Sequence, residues 1–194
     1  MKFNRRALEL AALLAVSLPL LLAKVNYYYV MIIASVLIAV FERFRKDDLK
    51  ELGITRKKII PSINAQMPFT IAGIAGIAVY ALFNGYTLQN QGIGYFAYWL
   101  VSIPLQEFLF RGYLQSLFRK SLSTINNVAL VSVIFSLTHY FAATPHFFLL
   151  MVSTLFAGFA WGYYYEKERN LIGPMVSHLI LGTIVFLVLP AKII

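Results

Sequence analysis

The sequence predicts an all-α protein, a polytopic transmembrane helical bundle of about seven spans with its N-terminus in the cytoplasm. Composition, a series of long apolar runs and the placement of Lys and Arg predict it together. Of 194 residues, 60% are apolar and 13% charged, against roughly a quarter charged in an ordinary soluble domain. Mean hydropathy is +0.73. The charges that do occur sit in blocks between the apolar runs.

A helix needs about 20 apolar residues to cross the hydrocarbon core. Runs of that order lie at about 7–23, 25–41, 65–84, 93–118, 124–143, 146–165 and 171–189. The first follows Lys2, Arg5 and Arg6 as a signal peptide would, but Leu21-Leu22-Ala23-Lys24 is a poor small-residue cleavage site, so it is read as a span. Cytoplasmic loops retain Lys and Arg. With alternating crossings, Lys2, Arg5 and Arg6, then Arg43 to Lys58, Arg119 and Lys120, and Lys167 and Arg169 fall on one side, while only Lys24 and Lys192 fall on the other. That assigns the N-terminus inside and the C-terminus outside. Residues 1–64 read as a two-span hairpin with a basic cytoplasmic linker, and residues 65–194 as the membrane-embedded core.

Within the linker, Asp47, Asp48 and Glu51 precede Arg56, Lys57 and Lys58, the pattern of a short interfacial helix. Tyr27–Tyr29 and Tyr163–Tyr165 read as interfacial aromatic belts. Gly158-Phe159-Ala160-Trp161-Gly162 has the small-xxx-small spacing of a close helix contact. The net charge of +9 belongs to residues flanking spans, which sets nucleic acid aside as a partner and makes the lipid bilayer the surrounding medium. With no cysteine there is no disulfide, thiolate nucleophile or Cys-ligated metal.

An ionisable residue inside a membrane is costly and by default marks a function. Four lie within the runs: Glu107 and Arg111 in the fourth, His139 in the fifth and His178 in the seventh; Glu9 and Glu42 lie near ends, and His146 follows Pro145 in a loop. At about 1.5 Å of rise per residue, Glu107, His139 and His178 fall roughly 9, 12 and 10 Å from the inner face. All three converge in the cytoplasmic third of the bilayer. Glu107 and Arg111 are four apart and share a helix face, as an internal ion pair would.

A Glu beside a neutral His in a low-dielectric site can hold and deprotonate a water, and a second His can donate to the oxyanion of a tetrahedral intermediate. This is amide or ester hydrolysis without a covalent enzyme intermediate. The same three side chains could ligate a divalent metal that acidifies the water. They sit on three helices and lack the His-x-x-x-His spacing of a zinc motif, which ranks that reading lower, with no cofactor as the first expectation.

At Gln106-Glu107-Phe108-Leu109-Phe110-Arg111-Gly112, at Phe135-Ser136-Leu137-Thr138-His139, and at His178 after Asn170-Leu171-Ile172-Gly173-Pro174, the chain resembles the CPBP family, the CAAX-protease and bacteriocin-processing intramembrane enzymes also called Abi. The resemblance spans roughly residues 92–190. The family's motifs are Glu-Glu-x-x-x-Arg, Phe-x-x-x-His, and a His followed four residues later by Asn. The resemblance implies an α-helical intramembrane endopeptidase acting on a membrane-associated or lipidated peptide or protein, its first Glu and second-motif His activating water. It assigns His139 as the water-activating partner, with Phe135 opening its motif. His178 becomes an oxyanion donor, and Glu107 and Arg111 become the second Glu and the Arg of the first motif. Two positions depart from the pattern. The first Glu is Gln106, which cannot accept a proton at physiological pH, and the Asn position is Gly182. Glu107 would replace the missing base only if a local helix rotation of about 100° turned it, the angle between neighbouring helical residues. The alternative expectation is a catalytically impaired member that binds or regulates a membrane peptide or partner.

Overall fold

The computed structural model describes residues 5–22, 27–45, 49–87, 93–139 and 147–188. Among them there are seven helices and no strand. Helix α1 is Arg5–Leu22, α2 Tyr27–Arg45 and α3 Ile59–Phe83. Helix α4 runs from Ile93 to Phe118 in three continuous pieces, α-helical at Ile93–Glu107, π-helical at Phe108–Leu114 and α-helical again at Gln115–Phe118. Helices α5, α6 and α7 are Thr124–Thr138, Phe147–Glu168 and Ile172–Val188. Each apolar run of the sequence thus coincides with a helix. By length and composition α3 and α6 are the two, among the described residues, that suffice to cross a membrane, while α5 and α7 are apolar but shorter. His146, Lys24, Lys192, Asp47 and Asp48 lie outside the described residues.

Contact pairs set the helix directions. Arg111 meets Gly158 and Gln115 meets Gly162, so α4 and α6 run parallel. Ser62 meets Asn170 and Thr70 meets Ser177, so α3 and α7 also run parallel. Glu107 meets His178, and an added Cβ at Gly182 would touch Ile103, which makes α4 and α7 antiparallel. The distribution of polarity inverts that of a soluble globule. Ile71, Val79, Leu82, Phe83, Phe148 and Phe156 face outward, while Gln66, Thr70, Ser102, Glu107, Arg111, Gln115, Asn127 and His178 are buried. In lipid there is no hydrophobic drive to press helices together, so small residues and interhelical hydrogen bonds hold the interfaces.

Close approaches show this directly. A Cβ at Gly173 would overlap the Ser62 backbone, with Ser62 C at 2.6 Å, and one at Gly158 would lie 3.3 Å from Ser132 Cα. The small-xxx-small pair does bring helices together, and its carbonyls become acceptors: Gly162 O takes Gln115 Nε2 at 2.8 Å, and Gly158 O takes Arg111 Nη2 at 3.3 Å.

Lys50, Arg119, Lys120 and Arg169 gather at one end of the bundle. There the linker contains a 3-10 turn at Leu49–Leu52, and residues 53–58 clamp onto the α6–α7 turn. Asn170, fully buried, donates to Thr55 O at 2.9 Å and Lys57 O at 2.7 Å while its own Oδ1 caps the Ile172 amide at 2.8 Å. Leu171 N donates to Gly53 O at 3.1 Å. Gly53 takes a positive φ of 78°, and a Cβ there would lie 2.6 Å from the Tyr165 ring. Tyr165 is therefore a fully buried plug and not a member of an interfacial belt, because the linker covers it.

Gly173→Ala is expected to lower the unfolding temperature in detergent, since overpacking costs about 1–3 kcal/mol. Gly76→Ala, where an added methyl meets nothing within 4 Å, leaves it unchanged or slightly raised. Equal melting of both variants would remove the role assigned here to the α3–α7 approach.

Candidate active site

The site is built around a carboxylate with no solvent exposure. Glu107 ends the first α-helical piece of α4, three residues after Pro104. Immediately after it the helix widens: the Gln115 amide bonds to Phe110 O, five residues back. A π-turn accommodates an extra residue, and one residue is worth about 100° of rotation. Every residue from Phe110 to Ser116 is buried, and Arg111 and Gln115 reach inward to α6 beside Phe110 and Leu114.

Glu107 Oε1 accepts from His178 Nδ1 at 2.7 Å. Glu107 Oε2 lies 3.3 Å from Arg111 Nε, an ion pair that is not aligned as a hydrogen bond and leaves this oxygen without a hydrogen-bond donor. Arg111 is fully buried as well, its guanidinium 4.4 Å over the Phe135 ring and 5.5 Å from the Trp161 ring. A buried charge requires this density of partners, because isolated it would cost many kcal/mol. Gln106 is also buried, and its Oε1 has no donor.

His139 stands at the end of α5. The α-helix stops at Thr138, and His139 is its C-cap. The stop has a local cause. Phe135 O, the acceptor that a continuing helix would offer the His139 amide, is taken by Thr138 Oγ1 at 2.6 Å and by His139 Nδ1 at 2.9 Å, and the amide turns to Ser136 O and Leu137 O. Side-chain bonds of this kind compete with helix continuation. Because a carbonyl only accepts, Nδ1 carries the proton and neutral His139 presents a lone pair at Nε2. Phe135 joins the two imidazoles, with ring centroids 4.7 Å from His139 and 5.7 Å from His178.

The structure therefore brings Glu107, Arg111, His178, Phe135 and His139 together, as the sequence spacing suggests. Gly182 adjoins the site: a Cβ there would sit 3.7 Å from His178 Cδ2, an ordinary contact. Among the described residues no three His, Cys, Asp or Glu side chains form a metal-ligating group. Two participants escape the sequence reading. Trp161 stacks on His178, centroids 4.3 Å apart and planes at 22°, and Gly158 supplies a carbonyl to Arg111. The signal for Trp161 was a Trp in mid-helix, away from the interface where that residue normally sits.

Residues 88–184 match the model of the family described as type II CAAX prenyl endopeptidase Rce1-like, and the match takes in every residue of this site. No curated protein and no solved structure matches the chain. The matched segment is half of the sequence, and the family is one of membrane-integral proteases whose substrates are membrane-associated prenylated proteins. The chain belongs to the Rce1-like family of type II CAAX prenyl endopeptidases.

Proposed function

We propose that the protein is an intramembrane endopeptidase that cleaves a membrane-associated or lipidated peptide or protein with a water activated by Glu107 and His139. The observation that carries this reading is the 2.7 Å bond between the buried side chains of Glu107, at Oε1, and His178, at Nδ1. It commits one carboxylate oxygen and leaves the other, Oε2, as an acceptor. His139 Nε2 is the second acceptor for a water, its tautomer set by Phe135 O.

In this reading the water oxygen bonds to the scissile carbonyl carbon as its proton passes to Glu107 Oε2. The carbonyl oxygen, now negative, takes a hydrogen bond from His178 Nε2, in the form of His178 protonated at both nitrogens against the Glu107 carboxylate. The C–N bond then breaks, and the proton held on Glu107 goes to the departing amine. Arg111 balances the carboxylate charge before attack. The chain crosses the membrane as an alternating bundle with its basic end in the cytoplasm. His178, eight residues beyond Asn170 along α7, then lies about 12 Å from that end, a depth reachable by a lipidated C-terminal peptide.

A second reading is favoured by Gln106 and Gly182, which remove a carboxylate and an amide donor from the family's pattern. Here the same site binds a membrane peptide without cleaving it.

The test is mass spectrometry of peptides released from membranes that contain wild-type or variant protein. Glu107→Ala and His139→Ala are each expected to reduce release by about 10²-fold or more, the usual worth of a positioned acid or base. His178→Ala should cost about 10²–10³-fold, as loss of an oxyanion donor does. Undiminished release by Glu107→Ala would overturn the peptidase reading.

Gln106→Glu and Gly182→Asn separate the two readings. Under the first, wild type already cleaves and neither substitution is required. Release by Gln106→Glu, alone or with Gly182→Asn, from a silent wild type would establish the binding protein instead.

A further inference from the structure

A Trp in a membrane helix ordinarily sits at the interface, where its N–H reaches water. Trp161 instead lies in the interior of α6 and is 3% exposed. Its only polar atom is the donor Nε1–H, which is given to Ser177 Oγ at 2.8 Å. Ser177 Oγ lies 2.7 Å from Thr70 Oγ1, and Thr70 Oγ1 donates to Gln66 O at 2.9 Å. Each hydroxyl has one proton, so this chain runs in one sense only: indole to Ser177, Ser177 to Thr70, Thr70 to the α3 backbone. It binds α6, α7 and α3 through buried groups, and it ends on the face of His178.

The contact with His178 fixes what the bond to Glu107 does not. A single hydrogen bond at Nδ1 lets an imidazole rock about that line. The indole lies nearly parallel to the imidazole at 4.3 Å and 22°, while the Phe135 ring meets it almost edge-on at 5.7 Å and 89°. Those two walls define the plane in which Nε2 points. The anchoring hydroxyl belongs to Ser177, the residue before His178, so the tryptophan and the histidine it supports are registered to the same turn of α7.

We propose that Trp161 is a positioning residue for His178, its indole held by the Ser177–Thr70 hydroxyl chain and its ring setting the direction of His178 Nε2. The consequence for activity rests on the peptidase reading above; the consequence for the imidazole does not.

The experiment has two arms on the same full-length variants in detergent. Ser177→Ala and Thr70→Val break the hydroxyl chain at different links with little change in volume, and Thr70→Ser keeps it. In the first arm, proton NMR of the histidine rings reads the stack, with the three histidines assigned by single substitution. His178 ring protons in wild type should be displaced upfield by the indole, move back in Ser177→Ala and Thr70→Val, and stay displaced in Thr70→Ser. In the second arm, kcat should fall by about 10-fold to 10²-fold in the two broken variants, the scale of a small misplacement. KM should be unchanged, Thr70→Ser should keep wild-type kcat, and the double variant should be no worse than either single one. A His178 signal undisplaced in wild type, or unmoved by both broken links, overturns the proposal whether or not the protein cleaves peptides. A wild type that shows the displacement but no cleavage overturns the peptidase reading and leaves the positioning of His178 standing.

Discussion

A carboxylate with no solvent exposure, surrounded by apolar helices, has to be met by protons and positive charge, and the arrangement of the core follows from how Glu107 is met. Arg111 comes from the next turn of the same helix, and His178 comes from α7. Arg111 in turn requires acceptors and faces, which it finds at Gly158 O and over Phe135 and Trp161. One buried charge thus recruits side chains from α4, α5, α6 and α7. Removing one partner of such a pair is far costlier than replacing both, because the remaining charge is stranded.

Two backbone features make the recruitment geometrically feasible. On α4, Glu107, Phe110, Arg111, Leu114 and Gln115 recur at the i, i+3, i+4, i+7, i+8 spacing of one helix face, and around the π-segment Tyr113 and Ser116 are buried as well. On the opposing helix, Gly158 and Gly162 have no side chain to stand between their carbonyls and those long polar groups, and each takes one. The distortion on α4 and the smallness on α6 are complementary. The same logic repeats at α3 and α7, where Gly173 admits Ser62 and a polar seam of Ser62, Gln66 and Thr70 runs along the contact.

Hydropathy was enough to place the helices, because period and length of apolar runs are one-dimensional properties. The candidate site residues were legible because in an apolar chain Glu107, Arg111, His139 and His178 stand out as costs that something must offset. What the sequence does not carry is direction. The π-turn after Glu107 has no residue signature in Phe108–Leu114. The termination of α5 at Thr138 arises from competition between two side chains for Phe135 O, which a run of apolar residues to 143 conceals. The linker read as a plain interfacial segment is instead a clasp, because Asn170, far away in sequence, spends its amide on Thr55 and Lys57 carbonyls. Trp161 was hidden within a packing motif that explained its neighbours.

The departure at position 106 bears on how one carboxylate is used. A first motif with two Glu residues permits a division of labour, one orienting the imidazole and the other facing the water. Under the proposed peptidase reading, with Gln106 in place and its Oε1 lacking a donor, both tasks fall to Glu107. Its two oxygens are in fact inequivalent: Oε1 is held by His178, while Oε2 has Arg111 nearby without an aligned hydrogen bond. The charge balance also changes. In the proposed mechanism, with His178 protonated at both nitrogens, one carboxylate faces two cations, Arg111 and His178, where a carboxylate in place of Gln106 would make the count two and two. On that reading a proton taken from water by Glu107 leaves both cations uncompensated, and the developing oxyanion beside His178 Nε2 replaces the lost negative charge. Under the proposed peptidase reading the single-carboxylate site thus couples base and oxyanion stabilisation, and the orientation of His178 has to keep the two in step.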